Sequence, residues 1–531
     1  MKRNKAVFSG VTAAVLVVAI VIVANAVSMN LFKRLDLTEG RIYSLNPASK
    51  RIVGELEDTF LVKAFFSKNL PAPYNANAKY VQDKLEEYRA YGKGRFRYEF
   101  VDPADDVALE QDAQKHRIPP VQVQVVEQDQ FQSKKAYMGL VFLYQDRQET
   151  IPVVDNPVGL EYEITASIKK LTRESSELPL IGILNGHQEP TLNQLTVVQQ
   201  VFQKQYRLQA VDVSDGSNVP QEVTVLVIAS PRTPLDDWAK YAVDQYIMNG
   251  GKVAFLIDKV NADLQFQRAT PLRLEIDEWL NHYGFHVNDD LVADIQNPGM
   301  LSISQQEGFF RMVSQVPYPF IPSLREFNRS IVMVKDLERL SLFYASSIDT
   351  SLARERGVTI EPLTFTSPKT LLQEGSFNIN PTQQWNPEQF DRGQIVLGAV
   401  VSGSFTSFFS GKEIPAPSDT LEAAPALEDT TIGVSPETRL VVLGDGEFFV
   451  DEKGGNDRDN LLFFQNMIDW LVQDEDLIAI RSREVTDRSL RPITPAKKRF
   501  VKYANALGSP LLVVVLGVVA WQMRRRRKVE I

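Results

Sequence analysis

The chain has 531 residues, 44% of them hydrophobic and 24% charged, with a formal net charge of -9 and no cysteine. That length exceeds what one core can organise and implies about two to four domains. The acid excess argues against nucleic acid as a partner, because that footprint is basic; the missing thiols exclude a disulfide framework, a CxxC redox pair, a cysteine nucleophile and a cysteine-ligated metal.

The chain opens with an apolar stretch. Residues 6–29 carry no charge and follow Lys2, Arg3 and Lys5. At about 1.5 Å per residue they cover a bilayer core of roughly 30 Å. A second apolar stretch, 504–523, places Trp521 at an interfacial depth and is followed by Arg524, Arg525, Arg526, Arg527 and Lys528. The positive-inside rule puts both termini in the cytoplasm and the bulk of the chain on the other side. Lys497, Lys498, Arg499 and Lys502 flank the second span outside and weaken that bias. A cleaved signal peptide is the alternative for the first span, since Ala24–Ala26 reads ANA. Either way the middle is exported. The expected division is an anchor at 1–30, a juxtamembrane stalk at 31–44, a first exported domain at 45–175 and a second at 176–480. A linker at 481–503, the second span and a basic tail at 524–531 complete it.

In the stalk, Leu35, Leu37 and Ile42 are expected to pack on the first domain, while Asp36, Thr38 and Glu39 turn the chain at headgroup level. Ser44 can cap a helix that begins near Pro47. A strand over 59–67, a helix ending at Gly92, a strand up to Pro103 and a helix over 105–116 come next. Pro119 and Pro120 lead into a third strand. The stretch 135–154 alternates apolar and polar residues as a hairpin does, and a helix over 159–173 closes the unit. This β-α-β-α-β-β-α order resembles the thioredoxin-like fold. At the position of the redox pair stands SKNLPAP, so the resemblance implies a scaffold and no oxidoreductase.

From Leu178 the pattern changes. Unbroken apolar strands, such as TVLVIASP and KVAFLID, alternate with amphipathic helices. That alternation predicts a doubly wound parallel sheet covered on both faces. TRLVVLGDGEFF, far along the chain, reads as another strand of the same sheet. An insertion over about 296–435 separates them. Its first part reads as short and irregular, and GQIVLGAVVSGSFTSFFSGKEIP reads as a hairpin. Residues 416–431 carry few large apolar side chains and are expected to stay flexible.

Chemical motifs are sparse. Neither GxxxxGK[ST] nor GxSxG occurs. His282 and His286 are four apart, but Gly284 breaks the helix between them, and they read as exposed loop residues. The loop NGHQE, Asn185 to Glu189, follows a parallel strand, where such sheets place ligands. His187 and Glu189 could form an acid/base pair; the plainer account is a turn, with Glu189 or Thr191 capping the next helix. Asp258 and Asp445 also sit at strand ends, with Glu447 beside the latter. The acidic run from Asp445 to Asp459 lacks EF-hand spacing, and Asp457 or Asp459 is expected to cap a helix. Gly250 and Gly251 read as a helix stop. The candidates for ligand or partner contact are therefore Asn185, His187, Glu189, Asp258, Asp445 and Glu447. No catalytic residue, metal or cofactor is assigned.

Several stretches, in order, resemble the gliding-motility-type ABC-transporter auxiliary proteins. They are RLDLTEGRIYSLNPASKRIV, ILNGHQEP, YIMNGGKVAFLID, YGFHVNDDLVAD, SGSFTSFF, VVLGDGEFF and NLLFFQNMIDWL. The resemblance implies a bacterial inner-membrane protein that works with a separate ATPase and permease. It also implies a middle domain akin to one in intraflagellar-transport proteins, with a fold likened to class I amidotransferases lacking their catalytic cysteine. The function expected on these grounds is a non-enzymatic, membrane-anchored extracytoplasmic subunit. Its partners would be the ABC permease and ATPase, the lipid bilayer, and a glycan or another envelope protein. An envelope hydrolase or transferase using His187, Glu189 and Asp445 is the rival, and a tethered solute-binding protein a third reading.

Overall fold

A computed structural model describes residues 44–480, except 69, 71–73, 105, 128–129, 155–158, 173–177, 204, 308–309, 336, 417–430, 474–475 and 479. It also describes positions 499, 502, 517, 518 and 521. The first expected span and residues 31–43 of the stalk lie outside the described residues, as does the second span apart from 517, 518 and 521. Among the described residues no helix is long and apolar enough to cross a membrane. The elements below belong to one compact unit, 1–485.

Helix α1 (Pro47–Gly54) starts on Asn46, whose side chain accepts from Ala48 N at 3.0 Å, and not on Ser44. Proline at the first position needs no amide partner there. Strand β1 (Phe60–Phe66), α2 (Tyr74–Tyr91), β2 (Phe96–Val101) and α3 (Val107–Lys115) follow. Next come β3 (Val121–Glu127), β4 (Gln130–Ala136), β5 (Met138–Tyr144), β6 (Arg147–Ile151) and α4 (Leu160–Thr172). The sheet order is β2-β1-β5-β6, with β1 parallel to β2 and antiparallel to β5. The strand behind Pro119 and Pro120 departs from expectation. Among the described residues β3 pairs only with β4, as a separate two-stranded ribbon, and β5 takes the third place in the sheet. A partner that follows at once in the chain closes the smaller loop.

This region has its own core, in which Phe60, Val62, Leu140 and Phe142 meet Val81, Leu85 and Tyr88 of α2 and Ile164 and Ile168 of α4. Inside it lies an ion pair, Lys84 Nζ to Glu161 Oε2 at 2.8 Å, with both side chains almost fully buried. Glu161 also accepts from Asn46 N and from Ser49 Oγ. One carboxylate thus joins α1, α2 and α4.

Strand β7 (Leu180–Asn185) begins the larger region, followed by α5 (Thr196–Phe202), β8 (Arg207–Asp212), β9 (Val223–Ala229), α6 (Asp237–Met248) and β10 (Lys252–Leu256). Then come β11 (Val260–Asp263), β12 (Arg268–Pro271), α7 (Asp277–His282), β13 (His286–Val287), β14 (Asp290–Asp294), β15 (Pro298–Glu307), β16 (Phe310–Leu324) and β17 (Glu326–Phe327). Strands β18 (Leu340–Ser341), β19 (Ile348–Asp349), β20 (Thr359–Phe365), β21 (Thr370–Glu374), β22 (Phe377–Asn378), β23 (Val396–Gly403) and β24 (Thr438–Leu443) precede the last long helix. Between β19 and β20 lies the single-turn helix α8 (Ala353–Arg356), and the long helix is α9 (Arg458–Val472).

The main sheet has eight strands in the order β17-β20-β23-β24-β10-β9-β7-β8. From β24 to β8 all are parallel. β23, β20 and β17 are joined antiparallel, so the sheet is mixed and not wholly parallel. The expected hairpin at β23 is a single buried strand between β20 and β24. The part of the insertion expected to be irregular contains the long β15–β16 hairpin, paired from Gly299 with Tyr318 to Glu307 with Phe310. Alternate residues of the parallel strands enter two cores. Ile181, Val225 and Leu443 face Phe463, Phe464 and Ile468 of α9; Leu226, Phe255 and Val442 face Ile247, Trp279 and Tyr283. Burial on both faces is why these strands are apolar throughout.

Candidate functional site

The carboxyl ends of β7, β9, β10 and β24 meet at one edge of this sheet. After β9 the chain turns sharply at Ser230, which is left-handed (φ 51°) yet not glycine. Ser230 N donates to Leu256 O at 2.8 Å, and its hydroxyl donates to Asp258 Oδ2. After β24 comes Gly444-Asp445-Gly446-Glu447. A Cβ on Gly446 would lie 2.4 Å from Ser230 N and 2.5 Å from Leu256 O, so only glycine lets these loops close. Gly446 N donates to Asp258 Oδ1 at 3.0 Å.

Arg232 bridges the cluster. Its Nη2 is 2.5 Å from Glu447 Oε1 and 3.3 Å from Asp258 Oδ2. Lys453 Nζ is 3.2 Å from Glu447 Oε2. Asp445 is fully buried and accepts two backbone amides, from Phe343 and Glu447, each at 2.6 Å. Burial, with Glu447 nearby, pushes the Asp258 carboxyl up to about 6. Burial, and then the charge of Asp258, raises Asp445 well above the carboxylate range.

The NGHQE loop lies alongside. Asn185 turns the chain by accepting from Gly186 N at 3.0 Å. His187 and Glu189 are both buried. Glu189 Oε2 accepts from His187 N at 2.6 Å, and Oε1 lies 3.3 Å from His187 Nδ1 without hydrogen-bond alignment. Burial lowers the imidazole's pKa, but Glu189, with Asp236 and Asp212 behind it, outweighs burial and the net shift is upward. The loop connects to the cluster through its backbone: His187 O accepts from Arg232 N at 2.9 Å. Thr191, paired with Gln194, caps the following turn.

A cavity of about 360 Å³ opens at this edge. Asp258 and Glu447 line it, with Arg232, Lys453, Asn261 and Gln188. Phe343 and Tyr344 from the insertion form another wall. Of the six candidates, the structure brings Asp258, Asp445 and Glu447 together, but Asp445 does not line the cavity, and neither do Asn185, His187 and Glu189. A larger hollow of about 620 Å³ lies near Glu222 and Lys252, at the opposite strand ends, and gathers no paired carboxylates.

Sequence reasoning missed Ser230, Arg232, Lys453 and Tyr344. SPR directly after a buried strand was a usable signal for the first two, since strand ends are where such sheets gather ligands. Lys453 and Tyr344 had none. Among the described residues no group of three or more His, Asp or Glu is placed to hold a metal ion. Asp457 caps α9 through Asp459 N at 2.9 Å, and both carboxylates pair with Arg339. His282 and His286 are half-buried and not exposed; they contact Thr406 O and the Asn281 side chain, each at 2.9 Å.

Fold and site thus define a mixed α/β protein with a polar cavity at the carboxyl edge of its main sheet. Residues 178–474 match the family described as ABC-type uncharacterized transport system, and the chain belongs to that ABC-transport auxiliary family. Residues 39–143 match a domain of unknown function, DUF7088. A relative from Borreliella burgdorferi, an uncharacterized protein, is 21% identical over 518 residues, covering 94% of this chain and 95% of its own. The solved mmIFT52 N-terminal domain covers 55% of this chain and 97% of its own length at 14% identity, with a TM-score of 0.32, too low to define a fold. The family supports an auxiliary, transport-associated role.

Proposed function

We propose that this chain is a membrane-anchored extracytoplasmic subunit of an ABC-type complex for export or gliding-type motility, and that it binds and couples but does not catalyse. Spans at 6–29 and 504–523 hold it in the bacterial inner membrane with both termini cytoplasmic. They pack on the permease, which works with a separate ATPase. The domain at 45–175 is a thioredoxin-like scaffold without its redox pair, and the domain at 176–480 an amidotransferase-like unit that presents its cavity to cargo, a glycan or another envelope protein.

The family match over 178–474 carries this reading. The wiring of the site supports binding over hydrolysis. Asp445, which holds two backbone amides, does not line the cavity, and His187 and Glu189 sit off it as well. An acid/base group must reach the proton it moves. Purification of the tagged chain from its own membranes in mild detergent should bring down an ATPase and a permease in fixed ratio. Recovery of the chain alone, at native expression, would overturn the proposal.

A further inference from the structure

We infer that the cavity between Asp258, Glu447 and Tyr344 is a binding site for a neutral polyhydroxylated ligand, a single sugar ring or the end of a glycan. The inference deepens the binding role proposed above and rests on it.

Charge selects the ligand class. Two cations, Arg232 and Lys453, and two carboxylates, Asp258 and Glu447, line the cavity. They are already paired with one another. A ligand anion would face both carboxylates, and a ligand cation would face the guanidinium and the ammonium. A zwitterion would need separated poles, and here opposite charges are interleaved at 2.5–3.3 Å. It would gain full contacts only by breaking those pairs. A neutral ligand leaves them intact.

Hydrogen-bond capacity points the same way. Glu447 spends one lone pair of each oxygen on Arg232 and Lys453, and a carboxylate oxygen can accept twice. Arg232 and Lys453 each have more N–H groups than these contacts use. Asn261 and Gln188, both on the exposed rim, offer an acceptor and a donor each. Spare donors and acceptors side by side suit neighbouring hydroxyls, since each hydroxyl does both.

The cavity wall adds shape. Tyr344 is 6% exposed, and its hydroxyl is closed off from solvent against that of Tyr318. The adjacent Tyr318 hydroxyl gives its proton to Ile379 O at 2.6 Å. Phe343, half-buried in that wall, adds apolar ring surface for the C–H face of a sugar. A volume of about 360 Å³ is near the lower end of small-molecule sites, about 300–1,000 Å³, and limits the bound part to a ring or little more.

The test uses the full chain in lauryldimethylamine oxide, which carries no sugar headgroup. Saturation-transfer NMR and calorimetry are run with glucose, galactose, mannose and N-acetylglucosamine, and with glucosamine, glucuronate, glycine and inorganic phosphate as charged controls. At least one neutral sugar should bind and be preferred to every charged probe. Asn261→Ala and Gln188→Ala should each weaken it about ten-fold, one hydrogen bond's worth. Both side chains are exposed, so neither variant should shift the melting temperature by more than about 1 °C. Failure of all four neutral sugars, stronger binding of glycine, phosphate or a charged sugar, or binding undiminished in both variants would each overturn the inference. None of these outcomes bears on co-purification with a permease and ATPase, so the two proposals fail separately.

Discussion

Asp244 is fully buried on α6 and holds part of the insertion in place. Oδ1 accepts from Tyr283 Oη at 2.6 Å and from Phe408 N at 2.8 Å; Oδ2 accepts from Ser407 Oγ at 2.6 Å. Asp244→Ala removes both acceptor oxygens and with them these three bonds, together with one from the Gln245 side chain. The Ser407 hydroxyl can turn elsewhere, but the Tyr283 hydroxyl and the Phe408 amide are left without a partner. At about 1–3 kcal/mol for each stranded group, the expected loss is about 4 kcal/mol. A cooperative unit of about 300 residues has an unfolding entropy near 0.6 kcal/mol/K, so the melting temperature should fall by roughly 6 °C. Asp244→Asn keeps one acceptor oxygen and should lose about half of that. Calorimetry of the full chain in detergent measures both, and Trp238 and Trp279 beside the site provide a fluorescence check. A fall under about 2 °C for the alanine variant would mean that Asp244 does not anchor the Ser407–Phe409 turn.

Three further outcomes are expected. Asp258 has a folded-state pKa of about 6, above the roughly 3.9 of an unfolded chain. Its protonation therefore favours the fold fully below about pH 4, and that contribution fades as pH rises to about 6, by about 3 kcal/mol in all; Asp258→Asn should remove this slope from melting curves taken across the window, and an unchanged slope would contradict the assignment. Lys84→Met strands the buried Glu161 carboxylate and should cost about 3–5 kcal/mol, with Glu161→Gln in the same chain restoring part of it; equal melting temperatures for the single and double variants would show that charge is not the cause. A Cβ at position 444 would sit 1.9 Å from Ser346 O, so Gly444→Ala should cost about 3 kcal/mol or more; yield and melting temperature near wild type would show that the backbone yields there at little cost.

What the sequence revealed depended on how far burial dictates residue type. β9, VTVLVIA, and β24, TRLVVL, were legible because strands covered on both faces read as apolar runs. Asp258 and Asp445 were legible because carboxylates at the ends of such runs stand out. β20, TIEPLTF, was not. Pro362 argues against an interior strand, and here it falls at a register shift in the ladder with β23. β23 itself was seen as strand, but its partners lie 31 and more residues away in sequence, and no local signal names them. The β3–β4 ribbon was misjudged because prolines mark where a strand begins and not which sheet receives it. Lys453 and Tyr344 enter the site through long-range packing, which leaves no pattern in the chain.

The insertion is part of the site and not an appendage to it. Phe343 N holds Asp445 in place, and Ser346 N donates to Gly444 O at 2.8 Å. Tyr344, between them, is forced into a left-handed conformation (φ 54°), as are Ser230 and Gln188 (φ 51° and 63°) across the cavity. Non-glycine residues persist in that region only where their surroundings over-determine them. The surroundings here are the loops after β7, β9, β10 and β24 together with the β18–β19 segment. Charge pairs span the same loops, from Arg232 to Asp258 and Glu447. An edge fixed by so many contacts from distant parts of the chain has little freedom left to lose when a ligand enters, so a larger share of the contact energy remains as affinity.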